Sequence, residues 1–156
     1  MRRIFAGLTS LLALVIVVQF YLAASAAFDT AAKEESFQSH RALGYGIVLL
    51  AVIVTIIAAL ARVPGRLVGL TALIAGLGVL QGVIRGLAAA FGDTAGTSTT
   101  AGKLVFGLHA VNGLIMLALS MTVARRTRAL PKSAPAAARD DAGLSGPAVG
   151  PAQPAS

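Results

Sequence analysis

The sequence predicts an all-α fold, an integral membrane up-down four-helix bundle. Of its 156 residues, 56% are hydrophobic and 12% are charged, whereas soluble domains carry about 25% charged residues. The hydrophobic residues form four blocks, each long enough for the roughly 20 residues of a spanning helix. Polar and apolar residues do not alternate within the blocks, which excludes the strands of a membrane barrel. Only helices then satisfy the backbone in a bilayer.

Each block predicts one helix of a domain that covers residues 1–128. The predicted helices cover residues 4–27, 40–62, 66–91 and 103–128. The remaining residues, 129–156, are rich in Pro, Ala, Gly and Ser and hold few large apolar side chains. Such a segment cannot bury a core, so we expect a disordered tail.

The first block has a second interpretation. Two arginines precede it and Ala24-Ser25-Ala26 ends it, as in a signal peptide with its cleavage site. The apolar run is longer than the 7–15 residues, roughly, of a signal sequence. We therefore predict a retained span, and cleavage would leave three helices.

The connections between the blocks predict the orientation. Arginines lie before the first block, between the second and third, and after the fourth: Arg2, Arg3, Arg62, Arg66, Arg125, Arg126 and Arg128. The other two connections are mixed: Asp29, Lys33, Glu34, Glu35, Asp93 and Lys103. Basic residues favour the cytoplasmic side. We therefore expect both termini in the cytoplasm of a plasma-membrane protein, with the second and fourth helices parallel.

Composition also limits the classes of function. The net charge of +7 comes from helix ends and forms no basic stripe with aromatic residues, so nucleic acid is not an expected partner. The expected partner is the lipid bilayer, with a membrane protein or a second copy of the chain left open. Cysteine is absent, which excludes disulfides and thiolate sites. No helix holds a carboxylate, and no known catalytic motif occurs, so no enzyme class is assigned.

The polar residues inside the predicted helices concentrate in the outer half of the bundle. They are Gln19, His40, Arg41, Gln81, Arg85, His109 and Asn112. The inner half is almost purely apolar. Because polar groups are costly in a bilayer, this layer is where a function is expected.

The two histidines of the chain each begin an H-x-x-x-G unit, His40 to Gly44 and His109 to Gly113. The glycine lies beneath its histidine on one helix face, where a flat ligand can approach the backbone. A glutamine precedes each unit, which suggests a weak repeat of two hairpins.

This pattern leads to a haem b hypothesis with an electron-transfer role. The parallel second and fourth helices are diagonal in an up-down bundle, so two imidazoles can ligate one iron. Arg41 and Arg85 would pair with the propionates. Gln81 and Asn112 complete the predicted site, and Gly78, Gly82 and Gly86 form a row that a porphyrin edge could enter.

A second hypothesis needs no ligand. Small residues at every fourth position and interhelical hydrogen bonds from Gln, Asn and His are common in plain membrane-helix packing. The protein would then be a structural or accessory membrane protein. If the fourth helix ended at Ala124, the histidines would differ in height by roughly 9 Å, which favours this hypothesis, whereas an extension past Arg128 would remove most of that difference.

Two resemblances rest on particular residues. The segments 40–46 and 108–113, with Val18-Gln19-Phe20 and Leu80-Gln81, resemble small four-helix actinobacterial membrane proteins classed as a domain of unknown function. That resemblance covers roughly residues 3–128 and implies four spans and no activity. The histidine pattern is more distantly similar to a half of haem A synthase and to other bis-histidine membrane cytochromes. That resemblance implies haem, although a second pair of histidines is absent.

Overall fold

The computed structural model describes residues 2–92 and 99–129. Their helices are α1 (Arg2–Phe28), the single-turn α2 (Lys33–Ser36), α3 (Gln38–Leu60), α4 (Gly65–Ala90) and α5 (Thr100–Ala129). Four helical stretches are long and apolar enough to cross a membrane: Arg3–Phe28, Lys33–Leu60, Gly65–Ala90 and Thr100–Ala129. The observed ends of the long helices lie within three residues of the predicted ones. The predicted tail lies outside the described residues.

The four long helices form a closed bundle in which each packs on two neighbours. Helix α1 contacts α3 and α5, and α4 contacts the same two helices. Helices α3 and α5 therefore lie diagonally opposite one another, as predicted for the second and fourth spans. This arrangement confirms the four-helix bundle, and it gives the bundle two different ends. We call them the histidine end, where α1 and α4 finish, and the arginine end, where α3 and α5 finish.

The core is a narrow apolar seam along the bundle axis. Its most buried side chains include Phe5, Leu12, Ile47, Val54 and Ile74. Many large apolar side chains on the outer faces are exposed, among them Leu14, Leu49, Leu60, Val79 and Leu104. In water such a surface would cause aggregation, but it suits helices that face lipid on one side.

A tight turn at the arginine end joins α3 to α4. Arg62 has a φ of 51°, the left-handed conformation that reverses a chain in few residues. The N–H of Val63 then donates to the carbonyl of Ala58 (3.1 Å), which satisfies a carbonyl of the last turn of α3. Pro64 precedes α4, where its missing N–H costs nothing.

The connection between α1 and α3 is folded across the histidine end. The Ala31 N–H donates to Asp29 Oδ1 (3.0 Å), and this hydrogen bond holds the pKa of the Asp29 carboxyl below its usual value. Farther along, Arg41 pairs with the Glu34 carboxylate (3.4 Å). Helix α2 is thereby held beside the first turn of α3.

The arginine end is less apolar than the sequence suggested. Thr9, Thr71 and Thr127 are buried there. Each hydroxyl donates to a carbonyl of its own helix, at 3.1, 2.9 and 2.7 Å respectively. Because these bonds satisfy the hydroxyl locally, threonine enters the seam at little cost.

Glycine 78 lets α3 and α4 approach closely. A Cβ atom at this position would lie 2.9 Å from Val48 Cγ2, whereas nothing described lies within 4 Å of a Cβ at Gly82. We predict that Gly78→Leu lowers the free energy of unfolding by about 1–3 kcal/mol through overpacking. Thermal unfolding in detergent measures the effect, with Gly82→Leu as the control on the same helix. Equal losses in both variants would contradict the assigned packing.

Candidate functional site

The two histidines lie side by side although they come from opposite helices. The ring centroids of His40 and His109 are 6.2 Å apart, with the planes tilted by 47°. Each histidine precedes the last residue of its helix by 20 positions, since α3 ends at Leu60 and α5 ends at Ala129. Equal distance from the arginine end gives them equal height. The predicted difference in height between the histidines is therefore absent, because α5 extends past Arg128 to Ala129.

His40 is held by Gln19 of the adjacent helix α1. The Gln19 amide nitrogen donates to the backbone carbonyl of His40 (2.8 Å) and lies 3.3 Å from its Nε2. The other ring nitrogen, Nδ1, lies 3.2 Å from the backbone carbonyl oxygen of Gln19. Both nitrogens of this imidazole therefore face α1. Phe37, three residues earlier, presents its edge to the ring, with centroids 5.8 Å apart.

His109 is less constrained. Its ring stacks on Phe106, three residues earlier, with centroids 5.2 Å apart and planes within 13°. The backbone carbonyl of Gln81 lies near the ring. Within the described part of the chain, His109 Nδ1 is buried without a hydrogen-bond partner. A ligand at this nitrogen would therefore displace no hydrogen bond from the described residues, unlike a ligand at His40.

A cleft of about 280 Å³, here called the histidine cleft, opens beside the two rings. Its lining includes His40, His109, Phe37, Phe106, Arg41 and Arg85, with Lys33 and Glu34 at its rim. Four of the eight residues predicted to bind a cofactor thus meet in one place. Arg41 already pairs with Glu34, whereas the described residues offer no ion pair to Arg85 or to Lys33, whose ammonium donates to the Ala27 carbonyl (3.3 Å).

The other four predicted residues lie away from the cleft and pack between helices. A Cβ at Gly44 would lie 3.2 Å from the Gln19 amide nitrogen, and one at Gly113 would lie 3.3 Å from the Gln81 amide nitrogen and 3.1 Å from the Phe20 ring. The space above each glycine is therefore filled by a glutamine of the preceding helix. Asn112 donates from Nδ2 to the carbonyl of Leu77 (2.9 Å) and joins α5 to α4.

The predicted glycine row on α4 does not form a single groove. Gly78 packs inside the bundle against Val48, whereas a Cβ at Gly82 or Gly86 would meet nothing described within 4 Å. The helical repeat of 3.6 residues explains the split, because a four-residue spacing drifts around the helix. None of the three lines the histidine cleft.

The fit of the site to a haem group can be tested on these distances. Two imidazoles on one iron hold their nitrogens about 4 Å apart, twice a metal–nitrogen bond of about 2 Å, and their ring centres about 6 Å apart. The measured 6.2 Å meets this requirement. The cleft volume of about 280 Å³ is just below the roughly 300–1,000 Å³ of ligand pockets. Haem therefore fits only if Gln19 releases His40 and the cleft widens.

The two phenylalanines of the cleft, Phe37 and Phe106, were not among the residues predicted for the site. The signal was present, because Phe37-Gln38-Ser39-His40 and Phe106-Gly107-Leu108-His109 share an F-x-x-H spacing. Residues three apart lie on one helix face, which places each phenylalanine beside its histidine. The repeated unit is thus F-x-x-H-x-x-x-G, longer than the unit identified from the sequence.

The comparisons with known proteins give one partial family match and no activity. The model of a family of unknown function (DUF6220) matches residues 19–90, from Gln19 to the end of α4. The match confirms the resemblance to a family of unknown function; the resemblance to haem A synthase stays a prediction. No curated protein and no solved structure matches the chain.

The contact between Gln19 and His40 yields a prediction about stability. Gln19→Met keeps the length of the side chain and removes the amide, so its hydrogen bond to the His40 carbonyl is lost while the contact of His40 Nδ1 with the Gln19 backbone carbonyl remains. We expect the free energy of unfolding to fall by about 0.6–1.7 kcal/mol, the contribution of interhelical hydrogen bonds in membrane proteins. The neighbouring Val18→Met is the control, since Val18 is exposed. Thermal unfolding in detergent that fails to separate the two variants would contradict the role of Gln19.

Proposed function

Because the matching family has no assigned activity, we propose that this protein binds haem b in the histidine cleft and transfers electrons in the membrane. The observation that supports the proposal most is the approach of His40 and His109. These are the only histidines in the chain, they come from opposite helices, and their rings stand 6.2 Å apart. Packing alone does not require two imidazoles to meet across the bundle diagonal.

The number of ligands favours haem over a bare metal ion. Among residues 2–92 and 99–129, no group of three or more His, Cys, Asp or Glu side chains could hold a metal. A bare ion usually takes three or four protein ligands. Haem brings four nitrogens of its own and needs two axial ligands, the number that this cleft offers.

Unsatisfied polar atoms at the same level support a ligand. Within the described residues, four buried side-chain polar atoms have no partner, and three of them belong to this layer: Gln19 Oε1, Gln81 Oε1 and His109 Nδ1. A buried polar atom without a partner costs about 1–3 kcal/mol. A bound group or water would recover part of that cost.

The residues of the cleft have distinct roles in this proposal. His109 and His40 would hold the iron, and Arg85 would face a propionate. Phe37 and Phe106 would shield the rings from water. Bound haem supplies a one-electron couple, whose potential depends on axial ligands and burial.

The absorption spectrum of the purified protein tests the proposal. After expression with adequate haem, we expect a Soret band that His109→Ala and His40→Ala each abolish or shift, because each removes an axial ligand. Phe106→Leu is the control that keeps both imidazoles and should retain the band. A wild-type protein without a Soret band would refute haem binding.

A second candidate function has its own supporting observation. Gln19 bonds to His40, Asn112 bonds to Leu77, and the glutamine amides fill the spaces above Gly44 and Gly113. The layer would then serve helix packing in a structural or accessory protein, with a membrane protein or a second copy as partner. The haem spectrum of Gln19→Met separates the two candidates. Release of His40 should raise haem occupancy under the first and leave no band under the second.

The orientation is also a proposal. The arginine end carries seven arginines by sequence, and such an excess favours the cytoplasm, so both termini would lie there in the plasma membrane. The chain lacks cysteine, so a single introduced cysteine is the only thiol of the protein that a maleimide can label. In intact cells, a membrane-impermeant maleimide should label Thr30→Cys at the histidine end and spare Ala129→Cys at the arginine end. The reverse pattern would invert the topology.

A further inference from the structure

We infer that a second cleft, between α4 and α5 at the histidine end, binds the phosphate headgroup of an anionic phospholipid. This lipid cleft measures about 310 Å³ and is lined by Arg85, Ala88, Ala89, Gly102, Lys103 and Phe106. It shares Arg85 and Phe106 with the histidine cleft, but its other four residues are separate from that site. The inference does not require haem, but Arg85 is common to both clefts, so a haem propionate and a lipid phosphate would share it, and Lys103 is the cation that lines the lipid cleft alone.

The charges of the lipid cleft have one sign. Among the residues that the structure describes, Arg85 and Lys103 line it and no carboxylate does. In the described ranges, 2–92 and 99–129, the one ion pair joins Arg41 to Glu34 and involves neither cation. A cation inside a membrane helix is costly without an anionic partner. The cleft therefore offers two positive charges to an anion from outside the chain.

The depth of the two cations matches the headgroup region. Arg85 lies five residues before the end of α4, and Lys103 three residues after the start of α5. At about 1.5 Å per residue, these positions are roughly 7 Å and 5 Å inside the helix ends. Long basic side chains at such depths extend towards the interface, where lipid phosphates lie. Both side chains are exposed on the outer surface of the bundle.

The shape of the cleft favours an amphiphile over a free anion. Gly102 closes its floor, since a Cβ there would lie 3.0 Å from the Ala88 carbonyl oxygen. Its walls are the methyl groups of Ala88 and Ala89 and the ring of Phe106. The exposed side chains of Leu87 and Leu104 follow on the same two helices. A phosphate between the cations would thus leave its acyl chains against apolar surface.

Lipid retention measured by native mass spectrometry tests the inference. The full chain is reconstituted in nanodiscs of phosphatidylglycerol or of phosphatidylcholine and then released. We expect more retained phosphatidylglycerol than phosphatidylcholine. Arg85→Gln and Lys103→Gln should each reduce retention of phosphatidylglycerol by about five-fold, the equivalent of about 1 kcal/mol per basic residue. Lys33→Gln is the control, since Lys33 lines only the histidine cleft.

Three results would overturn the inference. They are equal retention of the two lipids by the wild-type protein, unchanged retention in the Arg85→Gln, Lys103→Gln double variant, and displacement of the lipid by millimolar inorganic phosphate. The last result would show a site for free phosphate. The haem spectrum of Lys103→Gln keeps the two proposals apart, because Lys103 does not line the histidine cleft and its loss should leave any Soret band unchanged.

Discussion

The absence of water from the hydrocarbon core is the constraint on which the rest of this structure depends. Backbone groups must then bond within each helix, and buried side-chain polar groups must find partners across the bundle or on their own helix. The two ends meet this requirement differently. At the arginine end, Thr9, Thr71 and Thr127 bond to their own helices. At the histidine end, Gln19 and Asn112 bond to other helices. Only the second arrangement positions side chains across the bundle, so the candidate sites lie there.

The spans and the diagonal placement of the histidines followed from the sequence because they depend on hydropathy and connection length alone. Equal histidine height depended on where α5 ends, and the end predicted at Arg128 lies one residue from the observed end at Ala129. The functions assigned to Gly44 and Gly113 depended on which side chain fills a gap between helices. Two candidates existed for each gap, a ligand or a glutamine, and a pattern within one helix cannot choose between them. The ion pair between Arg41 and Glu34 could not be predicted either, because it depends on how the α1–α3 connection folds.

Competition for His40 links the two candidate functions. Both nitrogens of this imidazole face Gln19, so the contact that packs α1 on α3 also occupies the proposed iron ligand. The contact is weak in energetic terms, since interhelical bonds of this kind contribute about 0.6 kcal/mol on average. A ligand that bonds to both imidazoles must exceed that small amount together with the cost of widening the histidine cleft. Packing in the ligand-free state and binding in the ligand-bound state are therefore compatible in one protein.

The two hairpins share the F-x-x-H-x-x-x-G unit, but their histidines differ in hydrogen bonding. In both, a glutamine amide nitrogen lies over the glycine and a phenylalanine contacts the histidine ring. The glutamine of the first hairpin also bonds to its histidine, whereas His109 Nδ1 has no hydrogen-bond partner among the described residues. A ligand would therefore engage His109 first, and the exchange of Gln19 for that ligand at His40 would be the later step.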